Sequence, residues 1–209
     1  DEAYAERWMD AYENRGKTTD AFSCGVYGAH PYILLNYAGK LDDAFTMAHE
    51  LGHAMHSYKS DAAQDYANHD YHILVAEVAS TVNEVLLCKY LLATETDPAR
   101  RAYVLNHFLE GFRTTVFRQT LFAEFERKAH EMHEAGEPLT AESLNALYRS
   151  LNELYYEGAV VDDCQAVEWA RIPHFYRAFY VYQYATGFCS AVAIATRILK
   201  TGDAADYLK

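Results

Sequence analysis

His49, Glu50 and His53 stand in the run His-Glu-Leu-Gly-His. Two imidazoles four residues apart share one face of a helix, about 5–6 Å apart at Cβ. Both can then reach one Zn²⁺ at about 2.0–2.1 Å. Glu50 follows the first histidine directly, so it points beside such an ion rather than at it. There it can take a proton from an ion-bound water. This is the chemistry of metal-assisted hydrolysis. A five-residue match also arises by chance on an ordinary surface helix, so further residues must support it.

A catalytic zinc needs a third protein ligand and an open position for water. No third histidine follows at the spacing of the metzincins, because position 59 is Lys59. Glu77 offers itself instead, in Val75-Ala-Glu-Val-Ala-Ser-Thr81. Its neighbours are apolar or small, which predicts a packed helix, and a carboxylate there wants a partner such as a metal. Glu84 returns to the same face seven residues later. It either accepts a hydrogen bond from a ligand imidazole or is an exposed helix charge. His56 either packs beside the site or lines a substrate pocket.

These residues need two helices to hold them. Asp42 or Asp43 caps a predicted helix running to about residue 59, with Phe45, Ala48, Leu51, Gly52 and Met55 along it. Gly52 lowers helix stability but leaves room for another element close by. A second helix is expected over 72–93, where Ile73, Ala76, Ala79, Val82 and Leu86 recur at helical spacing. Elsewhere, residues 2–15 are expected to be helical and 18–29 irregular or extended. Pro31 to Tyr37 reads as a strand. Asp97-Pro98 opens a long helix reaching about residue 134. Another runs from Thr140 to about residue 157, a mixed segment follows, and a last helix covers 177–200. The fold class is mainly α, with a small β-sheet near the start.

On that last helix Tyr176, Tyr180 and Tyr184 would form a stripe, spaced i, i+4, i+8. Such a stripe is either aromatic packing or a cleft wall whose hydroxyls donate hydrogen bonds. The strand at 32–37 is either an ordinary structural strand or an exposed edge on which an extended peptide can pair.

The 209 residues fit one domain, expected to span 1–209. A formal net charge of −12 argues against a nucleic-acid partner. No run of 18 apolar residues suggests a membrane span. Cys24, Cys88, Cys164 and Cys189 lie far apart and form no CxxC pair, which points to a reducing, cytoplasmic setting. The first residue is Asp1, and an amphipathic pattern starts at Lys200 and stops at Lys209. Both ends suggest a piece of a longer enzyme.

Three stretches together carry a family resemblance. Phe45-Thr-Met-Ala-His-Glu-Leu-Gly-His-Ala-Met-His56, followed by Val75 to Glu84, resembles the M3 metallopeptidases, in the oligoendopeptidase F branch. His30 to Tyr37 is similar to the strand that leads into the zinc helix there. Ile172 to Gly187 resembles the His/Tyr-rich active-site segment. The resemblance implies a zinc endopeptidase of short, unfolded oligopeptides, with one Zn²⁺ per chain. It implies a zincin-like helical core, with the N-terminal half of the channel and the extreme C-terminus absent. His49, His53 and Glu77 would be the metal ligands and Glu50 the catalytic base. His174, with Tyr176 and Tyr184 among Tyr176, Tyr180, Tyr182 and Tyr184, would supply donors to the oxyanion. The chain departs from the family at Arg177, where a tyrosine is common. Two other possibilities are a different gluzincin, of thermolysin or aminopeptidase type, and a catalytically weak zinc- or peptide-binding fragment. Ser80 and Thr81 stand where the other gluzincins usually carry an acid.

Overall fold

The structure is a computed structural model and describes residues 2–208. The chain divides into two compact units, residues 1–108 with 187–209, and residues 109–186.

In the first unit a short helix α1 (Glu2–Ala5) is followed by a three-stranded sheet. Its strands are β1 (Met9–Asp10), β2 (Phe22–Cys24) and β3 (Tyr32–Leu34), in the order β1-β3-β2. β1 runs parallel to β3 and β2 antiparallel. The helix expected over 2–15 is thus cut to one turn. Trp8 is almost fully buried beside Ile33, Leu35 and Ala54, and its carbonyl accepts from the Ile33 N–H at 2.7 Å. Burying that indole outweighs a helix propensity worth only tenths of a kcal/mol per residue. The same pairing makes β3 the central strand, so it offers no free edge to a peptide. Among the described strands, β2 takes that place on the side facing away from β1.

The long helices α2 (Leu41–Ala63) and α3 (Ile73–Thr94) pack on each other. The N-cap of α2 is Lys40, not Asp42 or Asp43. Asp43 works one turn in, where its carboxylate accepts from the Lys40 N–H at 2.8 Å and the Ala38 N–H at 2.9 Å. Those bonds hold its carboxyl below the ordinary range. Gly52 sets how closely the helices meet. A Cβ there would lie 2.5 Å from Ser80 Cα and 2.8 Å from the Ala79 carbonyl oxygen. α4 (Pro98–Gly111) starts at Asp97, whose carboxylate accepts from the Ala99 N–H at 2.7 Å.

The second unit begins at Leu109, within the last turn of α4. One π-helical segment (Phe112–Phe117) follows before α5 (Arg118–Glu134). α6 (Ala141–Tyr155) is capped by Thr140, which exchanges hydrogen bonds with Ser143. A short α7 (Asp163–Ala166) and two 3₁₀ turns (Glu168–Arg171 and Pro173–Tyr176) lead to α8 (Tyr182–Thr201). α8 starts later than the expected residue 177 and passes into the first unit at Gly187. The cause is Phe179, whose φ of 57° no right-handed helix can contain. Tyr176 and Tyr180 therefore lie outside the helix, and the tyrosine stripe does not exist as such. The unit's core is Leu121, Phe122, Phe125, Tyr148, Leu151, Ile172 and Val181.

All four cysteines are free, with only Cys88 buried. Among the described residues, no helix is long and apolar enough to cross a membrane.

Candidate metal centre

α2 and α3 bring His49, His53 and Glu77 together. One donor atom from each lies within 4.8 Å of the others, and this is the only such group among the described residues. The Nε2 atoms of His49 and His53 face each other at 3.0 Å. His49 Nε2 stands 3.8 Å from Glu77 Oε2.

The surrounding bonds fix which ring nitrogens carry protons. His49 Nδ1 lies 2.5 Å from Glu84 Oε1. A carboxylate only accepts, so Nδ1 is the protonated nitrogen, and the neutral ring keeps a lone pair on Nε2. The Ala76 backbone favours a proton on the His53 ring, and with that proton on Nδ1 the ring's lone pair lies toward His49. Two lone pairs and a carboxylate oxygen thus converge on one point. Converging acceptors need a cation between them, and two imidazole nitrogens with one carboxylate are a zinc donor set that leaves a coordination position open. The residues fit a catalytic zinc ion.

The electrostatics agree. Burial pushes the His49 pKa down, but the bond to Glu84 and the charges of Glu84, Glu77 and Glu50 raise it above the ordinary value overall. His53 is pushed down to about 4, first by burial and then by the neighbouring His49. Burial raises the carboxyls of Glu50 and Glu77, opposed in both by His49. The charges of Glu84, Glu77 and Glu50 make the surroundings of His49 attract positive charge.

Packing sets the positions. Besides Gly52, Gly187 of α8 passes Glu77, where an added Cβ would meet Glu77 Cβ at 3.4 Å. Asn83 Nδ2 donates to the Ala48 carbonyl at 3.2 Å and ties α3 to the turn before His49. Glu50 is only 7% exposed, and the Ser23 backbone N–H of edge strand β2 lowers its carboxyl against the effect of burial. That contact was not foreseen from the sequence, where the only signal was the β-forming Phe22-Ser23-Cys24 inside a turn-rich run. Past His53, a cavity of about 150 Å³ is lined by Gly25, Ser57, Asp61, His69, Asp70 and Tyr71. His56 stacks on Tyr71 with ring centroids 3.8 Å apart. Of its two expected places, it takes packing against a cavity wall.

The second unit carries the His/Tyr residues. His174 lies 5.9 Å from both Tyr180 and Tyr184, ring to ring, and those two are 5.6 Å apart. The cluster is therefore His174, Tyr180 and Tyr184. Tyr176 stands apart from it, 90% exposed. Tyr180 was among the tyrosines expected from the sequence, and the turn at Phe179 sets it beside His174.

The family model described as peptidase family M3 matches residues 1–208. Oligopeptidase PepF of Bacillus subtilis is 51% identical over 100% of this chain and 32% of its own length. An oligoendopeptidase F homolog of Lactococcus lactis is 49% identical over 99% of this chain and 35% of its own. The chain thus spans about a third of the length of these relatives. Among solved structures, a putative peptidase from Chlamydophila abortus superposes with a TM-score of 0.83 and 45% identity, covering 96% of this chain and 34% of that one. Oligoendopeptidase-F from Enterococcus faecium gives 0.70 and 50%, covering 81% and 31%. With the whole chain matched and the fold shared, the chain belongs to peptidase family M3.

Proposed function

We propose that this chain is the zinc-bearing part of an endopeptidase that hydrolyses internal bonds of short, unfolded peptides. The observation that carries this is the convergence of His49, His53 and Glu77 on one point with Glu50 beside them. The relatives' names, oligopeptidase and oligoendopeptidase, support the substrate class. Both compact units are taken as parts of one catalytic domain, and the protein as cytoplasmic.

His49 Nε2, His53 Nε2 and a Glu77 oxygen would hold the ion. A zinc ion bound there would supply Lewis acidity toward the scissile carbonyl and acidify a bound water. Glu50 removes a proton from the attacking water. Burial already holds its carboxyl above the ordinary range, which brings it nearer the pKa of a general base working at neutral pH. The water oxygen bonds to the carbonyl carbon, the C–N bond breaks, and Glu50 delivers the proton to the leaving amine. Donors from His174 and the tyrosines steady the oxyanion. Tyr184 is common to the sequence expectation and to the ring cluster, and Tyr180 joins it in place of Tyr176. An extended peptide added at the β2 edge would pass Ser23 and therefore Glu50.

Glu50→Gln in the full-length enzyme tests this proposal. The variant should keep one zinc per chain and lose peptide hydrolysis by at least about 10³-fold, the scale of losing a general base and proton carrier. Near-normal turnover would exclude Glu50 as the base. The chain alone, a third of its relatives' length, should bind zinc but turn over peptide weakly.

A further inference from the structure

Among the described residues Glu126 is one of two buried charged side chains, at 6% exposed. Among the described residues no cation pairs with it. Its Oε1 accepts from the backbone N–H of Phe179 at 2.7 Å. A carboxylate is retained in such a place only when its bond matters to the fold or to the site.

Phe179 is itself an exception. The Tyr180 N–H donates to the Arg177 carbonyl at 3.2 Å, closing a turn with Phe179 at its third position. With φ at 57° that position calls for glycine or asparagine, and a bulky aromatic there is strained. Two residues of α5 hold it. Glu126 takes its N–H, and one helical turn on, His130 sets its ring 4.8 Å from the Phe179 ring. The His130 ring is fixed in turn by a 2.8 Å bond from Nδ1 to the Glu126 carbonyl. Val181, two residues further, is anchored in the unit's core. Between these anchors sits Tyr180, and the reversal at Phe179 folds Tyr180 and Tyr184 back against His174.

We propose that Glu126 is a positioning residue: it clamps the strained turn at Phe179 and so sets the His174–Tyr180–Tyr184 cluster for its work on the oxyanion. The clamp rests on the role given above to that cluster. Glu126 touches neither substrate nor metal and acts only through the turn. Strain held by a buried bond at such a place is how a site keeps donors at fixed positions. Glycine at 179 would make the turn favourable by itself, so Glu126 matters because residue 179 is phenylalanine.

The test uses the zinc-loaded full-length enzyme with four variants: Glu126→Ala, Glu126→Gln, Phe179→Gly, and Glu126→Ala combined with Phe179→Gly. kcat and KM are measured on a quenched fluorogenic oligopeptide, and amide hydrogen exchange is followed over 173–184. Glu126→Ala should lower kcat by about 10²-fold, with KM changed by less than about threefold, as expected for donors displaced by roughly an ångström. Glu126→Gln keeps an acceptor oxygen and should stay within about fivefold of the parent. The double variant should regain about tenfold in kcat over Glu126→Ala, because the turn no longer needs its clamp. Exchange over 173–184 should accelerate in Glu126→Ala and slow again in the double variant. Independent losses, a kcat untouched by Glu126→Ala, or unchanged exchange would overturn the clamp. If the parent cleaves no peptide, the functional proposal fails, and the exchange results still decide the clamp. Should Glu126→Ala fail to fold, folding regained in the double variant supports the clamp, and folding not regained opposes it.

Discussion

The metal group of the first unit and the His/Tyr cluster of the second are positioned by opposite means. His49, His53 and Glu77 sit on long regular helices, and a missing side chain at Gly52 lets those helices close. His174, Tyr180 and Tyr184 sit around an irregular turn, held by a buried carboxylate and a backbone outlier. Helical spacing suffices where ligands must converge on a single ion. The His174 cluster owes its arrangement instead to a strained turn, which sets directions that a helix face does not supply.

The largest effect expected from breaking the helical arrangement is at Gly52. In most helices Gly→Ala stabilises by about 1 kcal/mol. Here the new Cβ would meet backbone atoms at 2.5 and 2.8 Å, and backbone cannot swing aside. Gly52→Ala should therefore destabilise by about 1–3 kcal/mol as an overpacking change, and part α3 from α2. Glu77 lies three residues from Ser80, so zinc affinity should fall with it. Calorimetric unfolding and zinc titration check both, and a more stable variant with intact zinc binding would contradict the close-packing account.

Next comes Glu84. Glu84→Ala frees the His49 ring and should cost about 10- to 100-fold in zinc affinity, measured by competition with a chelator. An unchanged affinity would make the 2.5 Å bond incidental.

The second unit should respond to acid. Burial pushes the Glu168 carboxyl up, but bonds from Arg118, Tyr148 and Arg171 hold it below its ordinary value of 4.5 overall. A depressed carboxyl contributes stability above its unfolded pKa and loses it as pH falls through the lower folded value. The second unit should thus weaken as pH drops below about 4.5. Glu168→Gln should flatten that dependence in pH-resolved thermal unfolding. A parent whose second unit keeps its stability at low pH would contradict the assignment.

The smallest effect is expected at Gly187. An added Cβ meets Glu77 Cβ at 3.4 Å, an ordinary contact. Gly187→Ala should leave zinc affinity within about twofold and stability unchanged or up by less than about 1 kcal/mol. A loss as large as that of Gly52→Ala would erase the distinction drawn between the two glycines.

The same difference explains what the sequence revealed. α2 and α3 were legible because apolar residues recur at helical spacing, and the metal group followed from that spacing. Two long-range effects were not legible. Trp8 enters the core and pairs with β3, which ends the first helix and moves the free edge from β3 to β2. The turn at Phe179 uses a residue that no turn rule selects, because Glu126, 53 positions away in sequence, makes it tenable. Local propensity cannot report a bond of that separation. It placed the start of α8 too early, at residue 177 rather than Tyr182.

The central claim is that His49, His53 and Glu77 hold one zinc ion. The direct measurement is a crystal structure of the full-length enzyme with anomalous scattering recorded on both sides of the zinc edge. One peak within about 2.0–2.2 Å of both Nε2 atoms and a Glu77 oxygen is the expected result. A zinc peak elsewhere, or a stoichiometrically loaded enzyme with no peak between these three side chains, would contradict it.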